Sequence, residues 1–126
     1  MQIIFTIPGT LPSLNEFLAA TKQHRRGYYA GNGMKRKYEQ IISAYIPRKA
    51  KGLCVDTPCV IRFKYYEPTN RRDPDNISGV ARKFILDALV KDGVLKDDSR
   101  KYIKGLQDEY FTDKKEPRIE VIISNE

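Results

Sequence analysis

The sequence has few of the residues from which many enzyme sites are built. Among 126 residues there is one histidine, His24, two cysteines and no tryptophan. A single histidine argues against a histidine-built metal site and against a Ser-His-Asp triad. Cys54 and Cys59 have neither the C-x-x-C spacing of a zinc ribbon nor the arrangement of a secreted disulfide framework. We therefore expect both to be small apolar residues in a reducing cytoplasm.

Long apolar runs are missing as well. No stretch approaches the roughly 20 apolar residues of a membrane span, and the N-terminus lacks the charged and apolar regions of a signal peptide. These absences predict a cytoplasmic protein with no membrane partner. The length fits one domain, residues 1–126, long enough to bury roughly two thirds of the surface that its unfolded chain exposes.

Positive charge is plentiful. Lysine and arginine total 23 against 16 aspartate and glutamate, which gives a net charge of +7. Such a balance favours a polyanionic partner, because binding releases counterions from the polyanion. Many basic proteins bind no nucleic acid, so charge alone does not identify the partner.

The order of the predicted elements indicates the fold class. Apolar alternation predicts strands, and apolar spacing of three and four residues predicts helices. Together they predict an α+β domain in which two main helices pack on a mixed or antiparallel sheet. The predicted elements are a strand over 2–7, a long surface loop over 10–32 with a short helix near 16–20, a helix over 34–46, a strand over 58–66, a second main helix that ends before Gly93, and strands over 102–112 and 118–124.

The second main helix has the clearest pattern in the chain. Its apolar residues recur at helical spacing, so this face is predicted to be core. Asn76, Lys83 and Asp87 share a stripe about 40° wide along one flank of that face. A surface pair such as Lys83 and Asp87 adds little stability, so stability hardly explains it. The predicted core residues are Ile77, Val80, Ala81, Phe84, Ile85, Ala88 and Leu89.

Two acidic clusters flank this helix. Asp73 and Asp75 precede it, and Asp97 and Asp98 follow it. Two carboxylates about 4 Å apart repel by roughly 4 kcal/mol at an effective dielectric constant near 20, so a packed cluster needs bound cations, shared protons or good solvation. Aspartates are the hard oxygen ligands that Mg²⁺ prefers, and Mg²⁺ in a basic protein suggests chemistry on phosphodiesters. Asp98 can join Asp73 only if the segment after the helix runs back alongside it.

A plainer interpretation exists for each acidic pair. An Asp-Pro-Asp-Asn run before a helix is also a common N-cap signature, and acids are favourable in a first helical turn. Asp97 and Asp98 could form a solvated turn. Taken together, with Lys83 on the helix between them and a basic chain around them, the two pairs favour a metal site.

At these residues the sequence resembles the RusA-type Holliday junction resolvases, endonucleases common in phages and prophages. The similarity covers most of the chain, and the pattern is fairly specific when it is taken as a whole. It consists of D-x-D-N with a preceding arginine over 72–76, K-x-x-x-D-A-L over 83–89, Gly93, the D-D pair at 97–98, and the opening segments 5–9 and 12–15.

The resemblance implies a function and a set of site residues. It implies a Mg²⁺-dependent endodeoxyribonuclease, with Mn²⁺ as a substitute, that resolves four-way DNA junctions by paired symmetrical cuts. It marks Asp73, Asp75 and Asp98 as the metal-binding triad and Lys83 as the catalytic basic residue. Because one chain holds one such cluster while two strands must be cut symmetrically, we expect a homodimer with a two-fold axis.

Contacts to branched double-stranded DNA are expected at two places. Arginines before the helix can clamp phosphates, and the basic loop further upstream can contact phosphates and stack on bases. For that upstream loop, the alternative that it is a mobile, solvated loop without a DNA contact is considered equally well supported. The main alternative function is a non-catalytic basic nucleic-acid-binding dimer whose acids only cap a helix. The expected DNA-binding residues are Arg71, Arg72, Asn76, Arg25, Arg26 and Tyr28.

Overall fold

A computed structural model describes residues 1–22, 24–25 and 28–125, and gives side chains for 1–22 and 32–125. Along the chain, helices and strands follow one another in a mixed, α+β order. The elements are β1 (Gln2–Pro8), α1 (Leu14–Lys22), β2 (His24–Arg25), β3 (Tyr28–Tyr29), α2 (Ala30–Tyr45), a short 3₁₀ helix (Arg48–Ala50), β4 (Cys59–Glu67), α3 (Pro74–Lys91), β5 (Ile103–Thr112) and β6 (Arg118–Ser124).

The main sheet has four strands in the order β1-β6-β4-β5. β6 pairs antiparallel with both β1 and β4, whereas β4 and β5 are parallel. Parallel neighbours need a crossover connection, and α3 provides it between β4 and β5. The sheet is therefore mixed, and the predicted α+β class is confirmed.

The core lies between the helices and one face of this sheet. Burial alternates strictly along β4, where Ile61, Phe63 and Tyr65 are fully buried. The intervening residues point to the other face and stay partly exposed, as period-two alternation requires. All seven predicted core residues of α3 are buried, so the predicted helical face is confirmed.

The segment predicted as a long surface loop is more structured than expected. A capping box begins α1: the Glu16 N–H donates to Ser13 Oγ at 3.0 Å, and the Ser13 N–H donates to Glu16 Oε1 at 3.3 Å. The Ser-x-x-Glu pattern signals the start of a helix, but the prediction did not use it. Backbone pairing of β2 with β3 follows. α2 then begins at Ala30, four residues earlier than predicted, despite the low helix propensity of its two glycines.

The chain reverses direction after α3 at Gly93. This residue has φ +72°, which strains any side chain, and a Cβ there would crowd the backbone of Gly52 at 3.3 Å, so glycine is favoured for both reasons. The Val94 N–H then donates to the carbonyl of Leu89, and Leu95 forms a parallel bridge with Val55. The following segment consequently runs back beside α3. Among the described residues, no helix combines the length and apolar character that a bilayer crossing requires.

Candidate metal centre and its charged surroundings

Asp73 is the N-cap residue of α3, yet its side chain does not cap the helix. Its backbone is extended, with φ −74° and ψ 158°, and Pro74 follows at the first helical position. Its backbone carbonyl accepts hydrogen bonds from the N–H groups of Asn76 and Ile77 at 2.9 and 3.1 Å. An N-cap aspartate usually uses a carboxylate oxygen to accept from the first turn. Here that carboxylate remains available.

Asp75 lies in the first turn of the same helix. Both it and Asp73 are exposed. Within the part of the chain that the structure describes, neither carboxylate has a hydrogen-bond or ion-pair partner. The positive end of the helix dipole makes negative charge tolerable at this place, but it does not neutralise two full charges. The start of α3 therefore presents a pair of unpaired carboxylates.

The loop before Asp73 is fixed by a buried ion pair. Glu67, at the end of β4, is only 5% exposed, and its two carboxylate oxygens accept from Arg72 Nε and Nη2 at 2.8 and 3.1 Å. Arg72 also donates from Nη1 to the carbonyl of Leu11 at 3.0 Å. A bidentate pair of this kind fixes the guanidinium in one orientation. Arg72 therefore holds the backbone immediately before Asp73.

This arrangement bears on the expected DNA contacts. Arg72 is engaged within the chain, whereas Arg71 is exposed and has no ion pair among the described residues. Asn76 accepts from the backbone N–H of Asn15 at 3.2 Å. That N–H lies in the first turn of α1, where intrahelical partners are missing, so Asn76 ties α1 to α3. A DNA contact by any of these three expected residues stays a prediction.

Lys83 and Asp87 belong to a second charged cluster on α3. Lys83 Nζ donates to Asp87 Oδ1 at 3.0 Å. Asp87 Oδ2 is buried and receives no well-aligned hydrogen bond, but Lys35 Nζ of α2 lies 2.9 Å from it as an ion pair. Burial favours protonation of Asp87, yet the two lysines outweigh it and lower the pKa of Asp87. The bond to Asp87 in turn raises the pKa of Lys83, so both groups stay charged.

Asp98 joins this second cluster. Its Oδ2 lies 3.6 Å from Lys83 Nζ, and its side chain is about one third exposed. Asp97 is exposed and has no partner among the described residues. Of the two adjacent acids, Asp98 is thus the one that faces α3. The segment after the helix does run back alongside it, at least as far as Lys83.

The two clusters are separate within one chain. Lys83 is eight residues beyond Asp75, which is about 12 Å along a helix, and its bond to Asp87 directs Nζ still farther from Asp75. Asp98 lies beside that Nζ, at 3.6 Å, and so belongs to the Lys83 cluster. Among the described residues, no three His, Cys, Asp or Glu side chains are grouped to hold a metal ion. Asp98 as third ligand stays a prediction.

The two carboxylates at the start of α3, which have no partner among the described residues, still fit Mg²⁺. In proteins Mg²⁺ keeps several waters and is commonly bound through one or two carboxylates together with substrate phosphates. Asp73 and Asp75 provide two exposed carboxylates with no competing cation from the described residues. Glu67 and Arg72 hold the loop that carries them. The donor set thus suits a hydrated Mg²⁺ or Mn²⁺.

Some charged residues of this region could not be assigned from sequence, and some predictions cannot be compared with the structure. Glu67 and Lys35 were missed, because their partners lie on other elements and no local spacing signals the pairing. Arg26 lies outside the described residues. For Arg25 and Tyr28 the backbone is described but the side chains are not. Their DNA contacts stay predictions.

Comparison with known proteins assigns no family: no family model matches the chain, and no curated protein matches it. The interpretation of the site depends on its own geometry and on the sequence pattern.

Proposed function

We propose that the chain is a Mg²⁺-dependent endodeoxyribonuclease that resolves four-way DNA junctions as a homodimer. One observation supports this above all others. Asp73 and Asp75 lie exposed and unpaired at the start of α3, although the chain carries a net charge of +7. Carboxylates left without partners in a basic protein favour a bound cation.

In this proposal each residue has a distinct task. Asp73 and Asp75 hold the ion, which when bound supplies an activated water and offsets charge on the phosphate. Arg72, through Glu67, fixes the loop that carries Asp73. Lys83 is 60% exposed and stays protonated, so its ammonium group can contact a phosphate oxygen. Two copies related by a two-fold axis would place two such sites for symmetrical cuts.

A junction assay tests the activity. A fixed four-way junction is incubated with the protein in Mg²⁺ or in Ca²⁺, and nicking and binding are measured separately. We expect paired nicks only in Mg²⁺. Asp75→Asn should lower the nicking rate by about 100-fold or more while binding persists. Asp97→Asn is the matched control for nicking, because it removes another exposed aspartate that has no place in the proposed centre.

A binding experiment tests the metal without relying on activity. Calorimetric titration with Mn²⁺ should detect a site in the wild type that is lost in the Asp73→Asn/Asp75→Asn double variant. If the titration detects no site in the wild type, or an unchanged site in the double variant, the assignment of these carboxylates is wrong.

A non-catalytic nucleic-acid-binding dimer is the second candidate. It is favoured by the separation of the two acidic clusters and by the pairing of Asp98 with Lys83. This candidate expects junction binding in either metal, no nicking, and the same affinity in Asp75→Asn as in the wild type. The junction assay therefore separates the two proposals.

A further inference from the structure

The loop over residues 96–102, between α3 and β5, is held at both ends. The Lys96 N–H donates to the carbonyl of Val55 at 3.1 Å. At the other end, the carbonyl of Tyr102 accepts from the Cys59 N–H at 2.9 Å, and the Tyr102 N–H donates to Ser99 at 2.9 Å. The Tyr102 side chain is buried, at 9% exposure. The backbone of the loop therefore has a defined position.

Two lysines of this loop approach the same aromatic ring. Nζ of Lys96 lies 6.0 Å and Nζ of Lys101 lies 5.5 Å from the centroid of Tyr102. Each contact is worth about 0.5–1 kcal/mol at an exposed site, while the two ammonium groups repel each other. Neither has a carboxylate partner in the described part of the chain. Two ammonium groups collected at one ring without a counterion favour an external anion.

We propose that Lys96 and Lys101 bind the phosphodiester backbone of a DNA duplex arm. A polyanion suits two separate point charges, because each neutralised phosphate releases counterions. Lysines contact phosphates without reading base edges, so the lysine pair contributes affinity that does not depend on sequence. Asp97 is the one acid of the loop without a partner among the described residues, since Asp98 is engaged by Lys83. The cations of the loop outnumber it.

The position of the lysine pair relative to the metal centre rests on the proposed function. The Leu95 N–H donates to the carbonyl of Leu89, so the loop begins near a point that is 14 residues, or about 21 Å, along α3 from Asp75. One DNA strand advances about 3.4 Å per nucleotide. The same loop passes beside Lys83 at Asp98, so the lysine pair would hold phosphates several nucleotides from the phosphate that is cut.

A charge-matched pair of variants tests this binding surface. Lys96→Gln/Lys101→Gln removes the lysine pair. Arg48→Gln/Lys49→Gln removes the same charge beside β1, at the opposite edge of the sheet from β5. Affinity for a fluorescent four-way junction is measured in Ca²⁺ between 50 and 200 mM salt. We expect the Lys96/Lys101 variant to bind about tenfold more weakly. The magnitude of its negative slope of log affinity against log salt should decrease by about 2.

The outcomes separate this inference from the proposed function. Weaker binding and a smaller slope in the Lys96/Lys101 variant alone support the DNA contact, even if the wild type proves unable to nick in Mg²⁺. Equal effects in the two double variants, or none in either, overturn it even if the wild type nicks. A wild type that binds an RNA duplex but not the DNA junction also overturns it. Thermal unfolding of each variant must match the wild type for the comparison to count.

Discussion

Carboxylates at and near α3 fall into two sets that differ in their surroundings. Glu67 and Asp87 are largely buried, and each is held by cationic side chains from within the chain. Asp73 and Asp75, a few residues from Glu67, are exposed and have no partner among the described residues. Paired acids define the positions of α2, α3 and the loop between β4 and α3. Unpaired acids contribute little to that framework, so their charge is available for a ligand.

The largest expected effect is on the paired set. Glu67→Gln leaves the Arg72 guanidinium partly buried without its counter-charge, and breaking such a pair costs about 3 kcal/mol. We expect the free energy of unfolding in urea to fall by about that amount. Glu109→Gln, whose ion pair with Arg62 is about half exposed, should cost less than about 0.5 kcal/mol. Equal losses in the two variants would remove the distinction between buried and exposed pairs.

Lys83 holds one acid of the paired set, Asp87, but is also proposed to act on DNA. Lys83→Ala removes a charged group that is proposed to favour the transition state, so the nicking rate should fall by about 30-fold, or roughly 2 kcal/mol. Junction affinity should fall by less than about threefold. Lys91→Ala, an exposed lysine in the last turn of the same helix, serves as control. Parallel losses of rate and affinity would instead identify Lys83 as a simple phosphate contact.

The unpaired set should respond to metal. A ligand that binds only the folded state stabilises it by about 1.4 kcal/mol at ten times its dissociation constant. Mg²⁺ should therefore raise the unfolding temperature of the wild type but not that of Asp73→Asn/Asp75→Asn. Asp98→Asn tests the third ligand, since most of the Mg²⁺ effect should remain if Asp98 stays beside Lys83. Complete loss of the effect in Asp98→Asn would show that the predicted triad assembles after all.

The smallest expected effect concerns Asp87 and pH. The folded-state pKa of Asp87 is lowered below its ordinary value of 3.8 by Lys35 and Lys83, so its stabilising contribution is present above pH 3.8. It is lost as pH falls through the lower folded-state value. Asp87→Asn should cost about 1 kcal/mol at pH 6, and the difference from the wild type should shrink below pH 3.8. A difference that persists at low pH would indicate a steric cause.

Much of the fold could be predicted because its residues follow regular patterns. Contacts between elements that are distant in sequence leave no such pattern and could not be predicted. The seven core residues of α3 were predictable because their spacing repeats, and the alternation of β4 gave its buried face. The beginning of α2 was misplaced because the prediction followed the low helix propensity of Gly31 and Gly33, whereas the helix forms across both residues. For the candidate site, the sequence predicted Asp73 and Asp75. It could not show that Asp98 meets Lys83, because that pairing depends on how the chain turns after Gly93. Nor could it show that Asp87 meets Lys35, because that pairing depends on how α2 packs against α3.

The pairing of β1 with β6 joins strands that are far apart in sequence. Gln2 lies opposite Ser124 in an antiparallel register, so two distant stretches of chain already have the geometry of a hairpin that lacks its turn. During synthesis β1 has no strand partner in the main sheet until β6 is made. A circular permutant that links these positions through a two-residue turn would make this contact local. Its folding should be faster, because local contacts close smaller loops.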